Sequence, residues 1–222
     1  MVNRDNTEDS SKKLQSLRKE YSQNVLDEGS VDRDPQKQFS KWFDDIHKVG
    51  ITEPNAMTLA TVGLDNKPSL RVLLLKGFSA EGFVFYTNYE SRKGRELQQN
   101  PNAAILFFWP ELERQIRIEG VIEKLSAKQS DEYFLTRPRG AQLGAIASPQ
   151  SQAIKDRVAL EERVRTIERE QPEKILKRPF NWGGYRLIPS YFEFWQGRED
   201  RLHDRIVYER NANSWQIGRL AP

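Results

Sequence analysis

The amino-acid sequence predicts a mainly β protein, a small barrel of antiparallel strands with helices packed around it. Between Ala56 and Ser126, apolar residues recur with a period of two or in short runs, which is typical of about five strands. Only one short helical pattern, SRKGRELQQN, interrupts them. A parallel sheet would need a helix between successive strands, so this density of strands favours a closed barrel.

The N-terminal segment combines a polar tail with two helical patterns. Residues 1–13 are charged and aperiodic, which predicts a disordered tail. LQSLRKEY, beginning at Leu14, has helical spacing. Asp34 followed by Pro35 is typical of a helix start, and that helix is expected to end at Gly50. Its apolar stripe consists of Phe39, Trp42, Phe43 and Ile46.

The first strands follow this helix. AMTLATVG and SLRVLLLKGF flank a turn at residues 65–68, which predicts a hairpin. FVFYTN is the next strand, and the short helix after it is closed by Asn100 and Pro101. AAILFFW and RQIRIEGVIEKLS complete the set.

The C-terminal half mixes helices and strands. Ser126 and Gln129 have the spacing of a capping box. RGAQLGAIASPQSQ is rich in small residues and is expected to be irregular. An amphipathic helix is predicted from about residue 153 to residue 170. Its inward residues are expected to be Ile154, Val158, Val164 and Ile167. The last strands form a hairpin turning at residues 211–213. With no boundary in sight, residues 14–222 are predicted to form one domain.

Composition excludes several kinds of site. The 222 residues include no cysteine and two histidines, which removes thiolate chemistry and makes a metal site unexpected. The N-terminus has no apolar core, so a cytoplasmic protein without a membrane segment is expected. The formal charge of +3 is spread among alternating acids and bases. This composition permits nucleic acid as a partner without favouring it over small anions.

The start of the short helix is the first candidate site. A helix N-terminus carries partial positive charge, yet Arg92 and Lys93 stand there behind the capping candidates Asn88 and Ser91. A phosphate among these cations would explain them. The alternative is an ordinary helix with solvated surface cations.

Two further groups could contact anions. If residues 201–205 are extended, Arg201, His203 and Arg205 share one face, and the cations would lower the pKa of His203. The alternative is an exposed edge strand whose arginines pair with Asp204 and Glu199. Tyr133 and Arg137 lie one helical turn apart, where they could grip a phosphate or form a surface stack.

Several motifs together resemble one family. RVLLLK, FVFYTNYESRKG, ERQ, YFLTRPRG, SPQSQ and FWQGREDRLHDR, with the terminal RLAP, are similar in content and order to the pyridoxine/pyridoxamine 5′-phosphate oxidase family. The resemblance runs from about Leu17 to Pro222. It implies a split β-barrel homodimer with FMN at the subunit interface. It also implies oxidation of pyridoxine or pyridoxamine 5′-phosphate by O2 to pyridoxal 5′-phosphate, with release of H2O2.

The resemblance also implies residue roles. The FMN phosphate is expected to contact Arg71, Arg92, Lys93, Thr87 and Lys76. The rest of the cofactor is expected to lie along Val72, Leu73, Leu74, Leu75, Tyr86 and Gln115. The partner subunit is expected to contribute Gln150, Ser151, Trp195 and Arg205. The substrate phosphate is expected to contact Lys76, Tyr133, Arg137 and Ala141. The substrate ring is expected to contact the catalytic residues Arg201 and His203, and also Leu202. A lid containing Arg18 and Tyr21 is expected to cover the substrate.

One position departs from the family. Ala141 stands where serine is common, so one hydroxyl contact to the substrate phosphate is expected to be missing. Two alternative functions remain open at this point. A flavin reductase would share the barrel and FMN but lack the retained substrate residues. A nucleic-acid-binding barrel would need exposed stacking aromatics along a basic groove.

Overall fold

The computed structural model describes residues 13–17, 20–172, 175–212 and 214–222. The strands are β1 Ala56–Val62, β2 Pro68–Leu74, β3 Gly77–Ser79, β4 Gly82–Asn88, β5 Asn102–Trp109, β6 Arg114–Lys124, β7 Trp182–Gln196, β8 Asp204–Asn211 and β9 Ser214–Arg219. The helices are α1 Pro35–Val49, α2 Arg92–Gln99, α3 Ala127–Thr136, α4 Arg139–Ala147 and α5 Arg157–Glu170, with a 3-10 turn at Glu199–Arg201.

The strands form one antiparallel sheet. Its order is β2-β1-β5-β6-β7-β4-β3, with β8 paired to β7 and β9 paired to β8. The mainly β class with flanking helices and the split barrel are confirmed. The two ends of this order, β2 and β3, are consecutive in the chain: the Leu75 amide donates to the Asn55 carbonyl oxygen just before β1, and the Lys76 amide donates to the Val84 carbonyl oxygen of β4, as expected for a barrel.

Strand β7 serves both halves of the barrel. Residues 182–187 pair with β4, and residues 191–196 pair with β8. The register with β6 shifts between Glu119 and Gly120. A Cβ at position 120 would lie 2.0 Å from the Ile188 carbonyl oxygen, so this close approach requires glycine. The irregularity lets one long strand bend between the two halves.

Helix α1 is confirmed together with its caps. The Asp34 side chain accepts a hydrogen bond from the Gln36 amide, Pro35 opens the helix, and Gly50 ends it at φ 78°. Phe39 is fully buried, with its ring centroid 4.9 Å from that of Phe83. The stripe predicted on this helix therefore fills the barrel core.

Helix α4 replaces the irregular segment that the small residues led us to expect. Its N-terminal residue Pro138 makes no side-chain capping bond, so the usual sequence signal is absent. Tertiary contacts stabilise the helix instead. Leu143 is buried, and the Gln142 amide donates to the Phe134 carbonyl oxygen at 2.9 Å.

Helix α5 begins later than predicted, because Asp156 caps it through a bond from the Ala159 amide. Val164 and Ile167 pack against the small core around α3 and α4. Ile154 and Val158 are 46% and 54% exposed, so the prediction that they face inward is wrong in this chain. Glu161 and Arg165, four residues apart on the solvent side of the helix, form an ion pair at 3.8 Å.

The N-terminal predictions are only partly testable. Residues 1–12 of the predicted tail, and Arg18, lie outside the described residues. Residues 13–16 form one helical turn, but residues 20–26 do not continue it, so LQSLRKEY is not one helix through Tyr21. Within the described ranges, no helix is long and apolar enough to cross a membrane.

Candidate functional site

Helix α2 begins at a tight turn after β4. Ser91 is its N-cap, and the Ser91 hydroxyl accepts from the Gly94 amide at 3.2 Å. A Cβ at position 94 would lie 2.2 Å from the Tyr89 carbonyl oxygen, so glycine is required here. This turn puts Arg92 and Lys93 in the first helical turn, at the positive end of the helix dipole, as predicted.

A buried carboxylate organises the cations. Glu96 Oε1 accepts from Arg92 Nε at 2.8 Å, and Oε2 accepts from Arg71 Nη2 at 3.2 Å. The hydroxyls of Ser69 and Thr61 each donate to Oε2 at 2.6 Å. Burial alone would raise the pKa of Glu96, but these four hydrogen bonds outweigh it and lower the pKa to about 2.

Lys93 is the cation that Glu96 does not satisfy. It is 7% exposed, and its Nζ donates to Thr87 Oγ1 at 3.2 Å and to Gln150 Oε1 at 3.4 Å. Burial and the nearby charge of Arg71 lower its pKa to about 8. Among the described residues no carboxylate lies within 4.0 Å of this amine. Arg71 and Arg92 therefore share one carboxylate while Lys93 has none, which leaves a net positive site suited to a phosphate.

A second site, which is a pocket, lies beside this group of cations. It has a volume of about 410 Å³ and contains Lys76, which follows the end of β2, together with residues of α3, α4 and β7. Its lining includes Tyr86, Tyr133, Arg137, Ala141 and Trp182. The pocket thus brings together the four residues that the resemblance assigns to the substrate phosphate.

The second pocket has aromatic walls and an unsatisfied cation. The rings of Tyr86 and Tyr133 are stacked with their centroids 3.7 Å apart, and the ring of Trp182 is stacked on that of Tyr86 with a centroid distance of 5.6 Å. The Arg137 guanidinium lies 4.6 Å from the centre of the Trp182 ring. Burial lowers the pKa of Arg137, and its buried Nη1 donates to no acceptor among the described residues. An anion in this pocket would satisfy that donor.

His203 lies in a separate aromatic cluster. Its ring centroid is 4.6 Å from that of Trp195 and 5.9 Å from that of Tyr21. The Arg198 amide donates to His203 Nδ1 at 3.1 Å, which puts the proton of a neutral ring on Nε2. Burial, and then the charge of Arg201, lowers the pKa of His203. The predicted direction of the shift is confirmed, although burial is the larger cause.

The condition that residues 201–205 are extended is met only from Asp204 onward. Residues 199–201 form a 3-10 turn, Arg201 has φ 61°, and β8 starts only at Asp204. Arg205 is satisfied by Glu193, which accepts from its Nε at 2.9 Å and from its Nη2 at 3.0 Å. Asp204 pairs with Arg198 and Arg219 instead of the arginines first considered.

The remaining predicted residues are scattered around these groups. Gln115 pairs with Trp195 across β6 and β7. Val72 and Leu202 are exposed, Leu73 and Leu74 are half-buried, and Leu75 is buried. Ser151 is exposed with φ 69°. Gln150 contacts Lys93 of its own chain, which differs from its expected contribution to the partner subunit's site.

The candidate site residues fall into two separate groups within one chain, the cluster around His203 and the phosphate sites around Lys76 and Lys93. No hydrogen bond, ion pair or ring contact within the described part joins His203, Trp195 or Arg205 to the pockets around Lys76 and Lys93. The same ranges contain no group of His, Asp and Glu residues able to hold a metal ion. Sequence reasoning missed Glu96, for which the only signal is its position four residues after Arg92.

Comparison with known proteins supplies the context for this geometry. Residues 43–170 match the family model described as pyridoxamine 5′-phosphate oxidase. Residues 182–222 match the model of the pyridoxine 5′-phosphate oxidase C-terminal dimerisation region.

Individual relatives agree with the family models. A pyridoxine/pyridoxamine 5′-phosphate oxidase of Salinibacter ruber is 53% identical over 95% of this chain and 99% of its own. One from Burkholderia lata 383 is also 53% identical, over 94% of this chain and 99% of its own. The crystal structure of PhzG from Burkholderia lata 383, in complex with tetrahydrophenazine-1-carboxylic acid, superposes with a TM-score of 0.85. It is 33% identical and covers 90% of this chain and 100% of its own.

Proposed function

Because the chain belongs to the pyridoxamine 5′-phosphate oxidase family, we propose that it oxidises pyridoxamine and pyridoxine 5′-phosphate to pyridoxal 5′-phosphate. FMN is the proposed cofactor and O2 the acceptor. The amine substrate, O2 and water give the aldehyde, ammonia and H2O2, and the alcohol substrate with O2 gives the aldehyde and H2O2. The proposal includes a cytoplasmic location and a homodimer, the latter supported by the match to a dimerisation region.

The observation that carries the substrate assignment is the unsatisfied Arg137 in the aromatic pocket. Its buried Nη1 donates to nothing described, while Lys76 and Tyr133 line the same cavity. A substrate phosphate would accept from Arg137 and Lys76, and the pyridine ring would lie toward the aromatic walls. An unphosphorylated vitamer would leave the Arg137 donor unsatisfied.

The chain also fits the cofactor phosphate. Arg71 and Arg92 are bound to the single carboxylate of Glu96, and the buried Lys93 is close enough to Arg71 for that charge to help lower its pKa. A phosphate bound there would offset the repulsion that Arg71 exerts on Lys93 and accept from the Thr87 hydroxyl. When bound, FMN supplies the two-electron acceptor that no side chain provides.

Two residues near the aromatic cluster have the proposed catalytic roles. Neutral His203 carries its proton on Nε2, so it is a hydrogen-bond donor toward substrate and not a base at that atom. Arg201 is exposed beside it and is available to cover the pyridine ring. Since this cluster and the phosphate pockets are separate within one chain, the proposal has Trp195 and Arg205, together with His203 and Arg201, complete the partner subunit's site. Ser151 is proposed to contribute to the partner subunit's site as well.

The comparison with Burkholderia lata favours this function over a PhzG-like one. Two proteins of the same strain match the chain, and the pyridoxine/pyridoxamine oxidase is 53% identical whereas PhzG is 33% identical.

The aromatic rings argue against the nucleic-acid alternative, because Phe39, Phe83 and Phe107 are buried in the core and offer no stacking platform.

Two measurements test the proposal. The purified protein is expected to be yellow and to release FMN on denaturation, and a colourless preparation that binds no added FMN would refute the cofactor. Oxygen uptake with pyridoxamine 5′-phosphate, but not with pyridoxamine, is expected. Equal rates with the two compounds would refute the role of the phosphate pocket.

The Arg201→Ala variant tests the division of roles. It is expected to retain FMN and lose turnover by ~100-fold or more, because the residue is proposed to act on substrate alone. Arg33→Ala, another exposed arginine before α1, is the matched control and is expected to change neither. Loss of flavin from the Arg201 variant with normal turnover at saturation would show that the roles are assigned wrongly.

A further inference from the structure

A short segment of backbone crosses the surface beside His203. We define the strap as residues 21–26, which belong to no helix or strand. Its first amides are held by Glu113, since the Ser22 and Gln23 N–H groups donate to Glu113 Oε2 at 2.9 and 3.2 Å. Glu113 is only 2% exposed, so these hydrogen bonds to a carboxylate are shielded from water.

A second buried carboxylate holds the other end of the strap. The Leu26 amide donates to Asp204 Oδ2 at 3.1 Å, and Asp204 also accepts from Arg198 and Arg219. Burial would raise the pKa of Asp204, but these bonds outweigh it and lower the pKa, so the group is charged at neutral pH. The Leu26 side chain is itself buried in the main core.

The strap carries Tyr21 onto the aromatic cluster. The Tyr21 ring packs edge-on against Trp195 at 5.7 Å and lies 5.9 Å from His203. A Cβ at Gly197, the residue directly after β7, would lie 2.7 Å from the Tyr21 Cβ, so Tyr21 can come this close to the chain only because residue 197 is glycine. The Gly197 amide in turn donates to the Glu113 carbonyl oxygen at 2.8 Å.

The backbone at Glu113 is unfavourable for a glutamate. Its φ is 54°, in the left-handed region that favours glycine or asparagine, and it ends the turn between β5 and β6. Glycine would relieve that strain but supply no carboxylate. The interactions of the side chain with the strap give a physical reason for glutamate at this position.

We propose that Glu113 and Asp204 are positioning residues that clamp the strap and thereby hold Tyr21 against His203 and Trp195. The inference rests on the proposed function for its kinetic consequence only. The clamp orders the strap at both ends, so that Tyr21 meets the substrate without first losing conformational freedom.

The Glu113→Gly variant tests the clamp without adding backbone strain. Glu111→Gly, an exposed glutamate of the same turn, is the matched control. Hydrogen exchange of the holoenzyme, followed in peptides covering residues 20–28, is expected to become at least ~10-fold faster in Glu113→Gly and to be unchanged in the control. Unchanged exchange in Glu113→Gly would overturn the clamp, whether or not the protein is an oxidase.

Kinetics then test the positioning role. In Glu113→Gly the KM for pyridoxamine 5′-phosphate is expected to rise ~10-fold with FMN content unchanged, and Glu113→Gln, which keeps one oxygen acceptor, is expected to recover part of the loss. A purely structural role would lower flavin content and melting temperature without raising KM, and that result would overturn the proposal.

A double-mutant cycle provides the final check. Tyr21→Ala alone is expected to raise KM, but to add little in the Glu113→Gly background, because the released strap no longer presents Tyr21. Fully additive effects would overturn the proposal. If the wild-type enzyme oxidises neither vitamer, the proposed function fails, while the exchange experiment still decides whether the clamp exists.

Discussion

Replacing Lys93 with methionine should make the flavin-free protein more stable and make it bind FMN more weakly. The amine is buried, and its pKa falls from 10.5 to about 8 because of burial and Arg71. At ~1.4 kcal/mol per pH unit, keeping Lys93 charged at pH 7 costs the folded state about 3 kcal/mol. Methionine removes that cost and also removes the bonds to Thr87 and Gln150. A net gain of about 1–2 kcal/mol is expected.

The pH dependence of this gain has a definite sign. The folded pKa of Lys93 lies below the unfolded value, so the folded wild-type protein loses its proton first as pH rises. The stability of the wild type should therefore increase between pH 8 and pH 10.5 relative to the variant. The stability difference between the two proteins is expected to be largest below pH 8 and to shrink above it.

Urea denaturation of the two apoproteins at several pH values measures the gain, and FMN titration measures the loss of affinity. Loss of one charged donor to a phosphate is expected to weaken FMN binding at least ~10-fold. Lys67→Met, at an exposed lysine in the turn before β2, is the control and should change neither quantity. A variant apoprotein that is less stable at pH 7, or that binds FMN as tightly as wild type, would refute the reasoning.

Three further substitutions probe the same pockets. Glu96→Gln should destabilise the protein by about 3 kcal/mol at neutral pH. Because the folded pKa of Glu96 is lowered, the stability difference between wild type and variant should vanish as pH falls from 4.5 to about 2. Urea denaturation across this pH range measures that difference. Ala141→Ser should lower the KM for pyridoxamine 5′-phosphate a few-fold, which corresponds to about 1 kcal/mol of binding free energy, and an unchanged KM in steady-state assays would contradict a phosphate contact. Arg137→Met should raise the KM for the phosphorylated substrate ~100-fold without releasing FMN, as steady-state assays and flavin absorbance would measure.

Local signals in the sequence predicted much of the fold. Asp34, Pro35 and Gly50 define α1 because caps act through neighbouring backbone groups, and the structure has each of them in that role. Helix α4 was not predicted because no side chain caps it and its support comes from α3, through the bond of Gln142 to Phe134. The exposure of Val158 likewise depends on tertiary packing that periodicity does not contain.

The site was predictable in its cations and less so in its organisation. Arg92 and Lys93 at a helix start already indicated an anion. Glu96 was missed because its importance arises from Ser69 and Thr61, which only strand pairing brings to it. The proton position on His203 depends on the Arg198 amide, a contact made by the irregular loop between β7 and β8, which no pattern in the sequence predicts.

The two phosphate pockets differ in a way that suits their proposed ligands. In the first, Glu96 neutralises part of the charge of Arg71 and Arg92, so these groups are ordered before any phosphate binds. In the second, Arg137 has no carboxylate partner among the described residues and rests on the Trp182 ring, while Lys76 is exposed. A cofactor that stays bound through every turnover suits the ordered cluster, since a preformed site loses little entropy on binding. A phosphorylated product that must leave suits the second pocket, where an aromatic ring partly stabilises the cation after the anion departs.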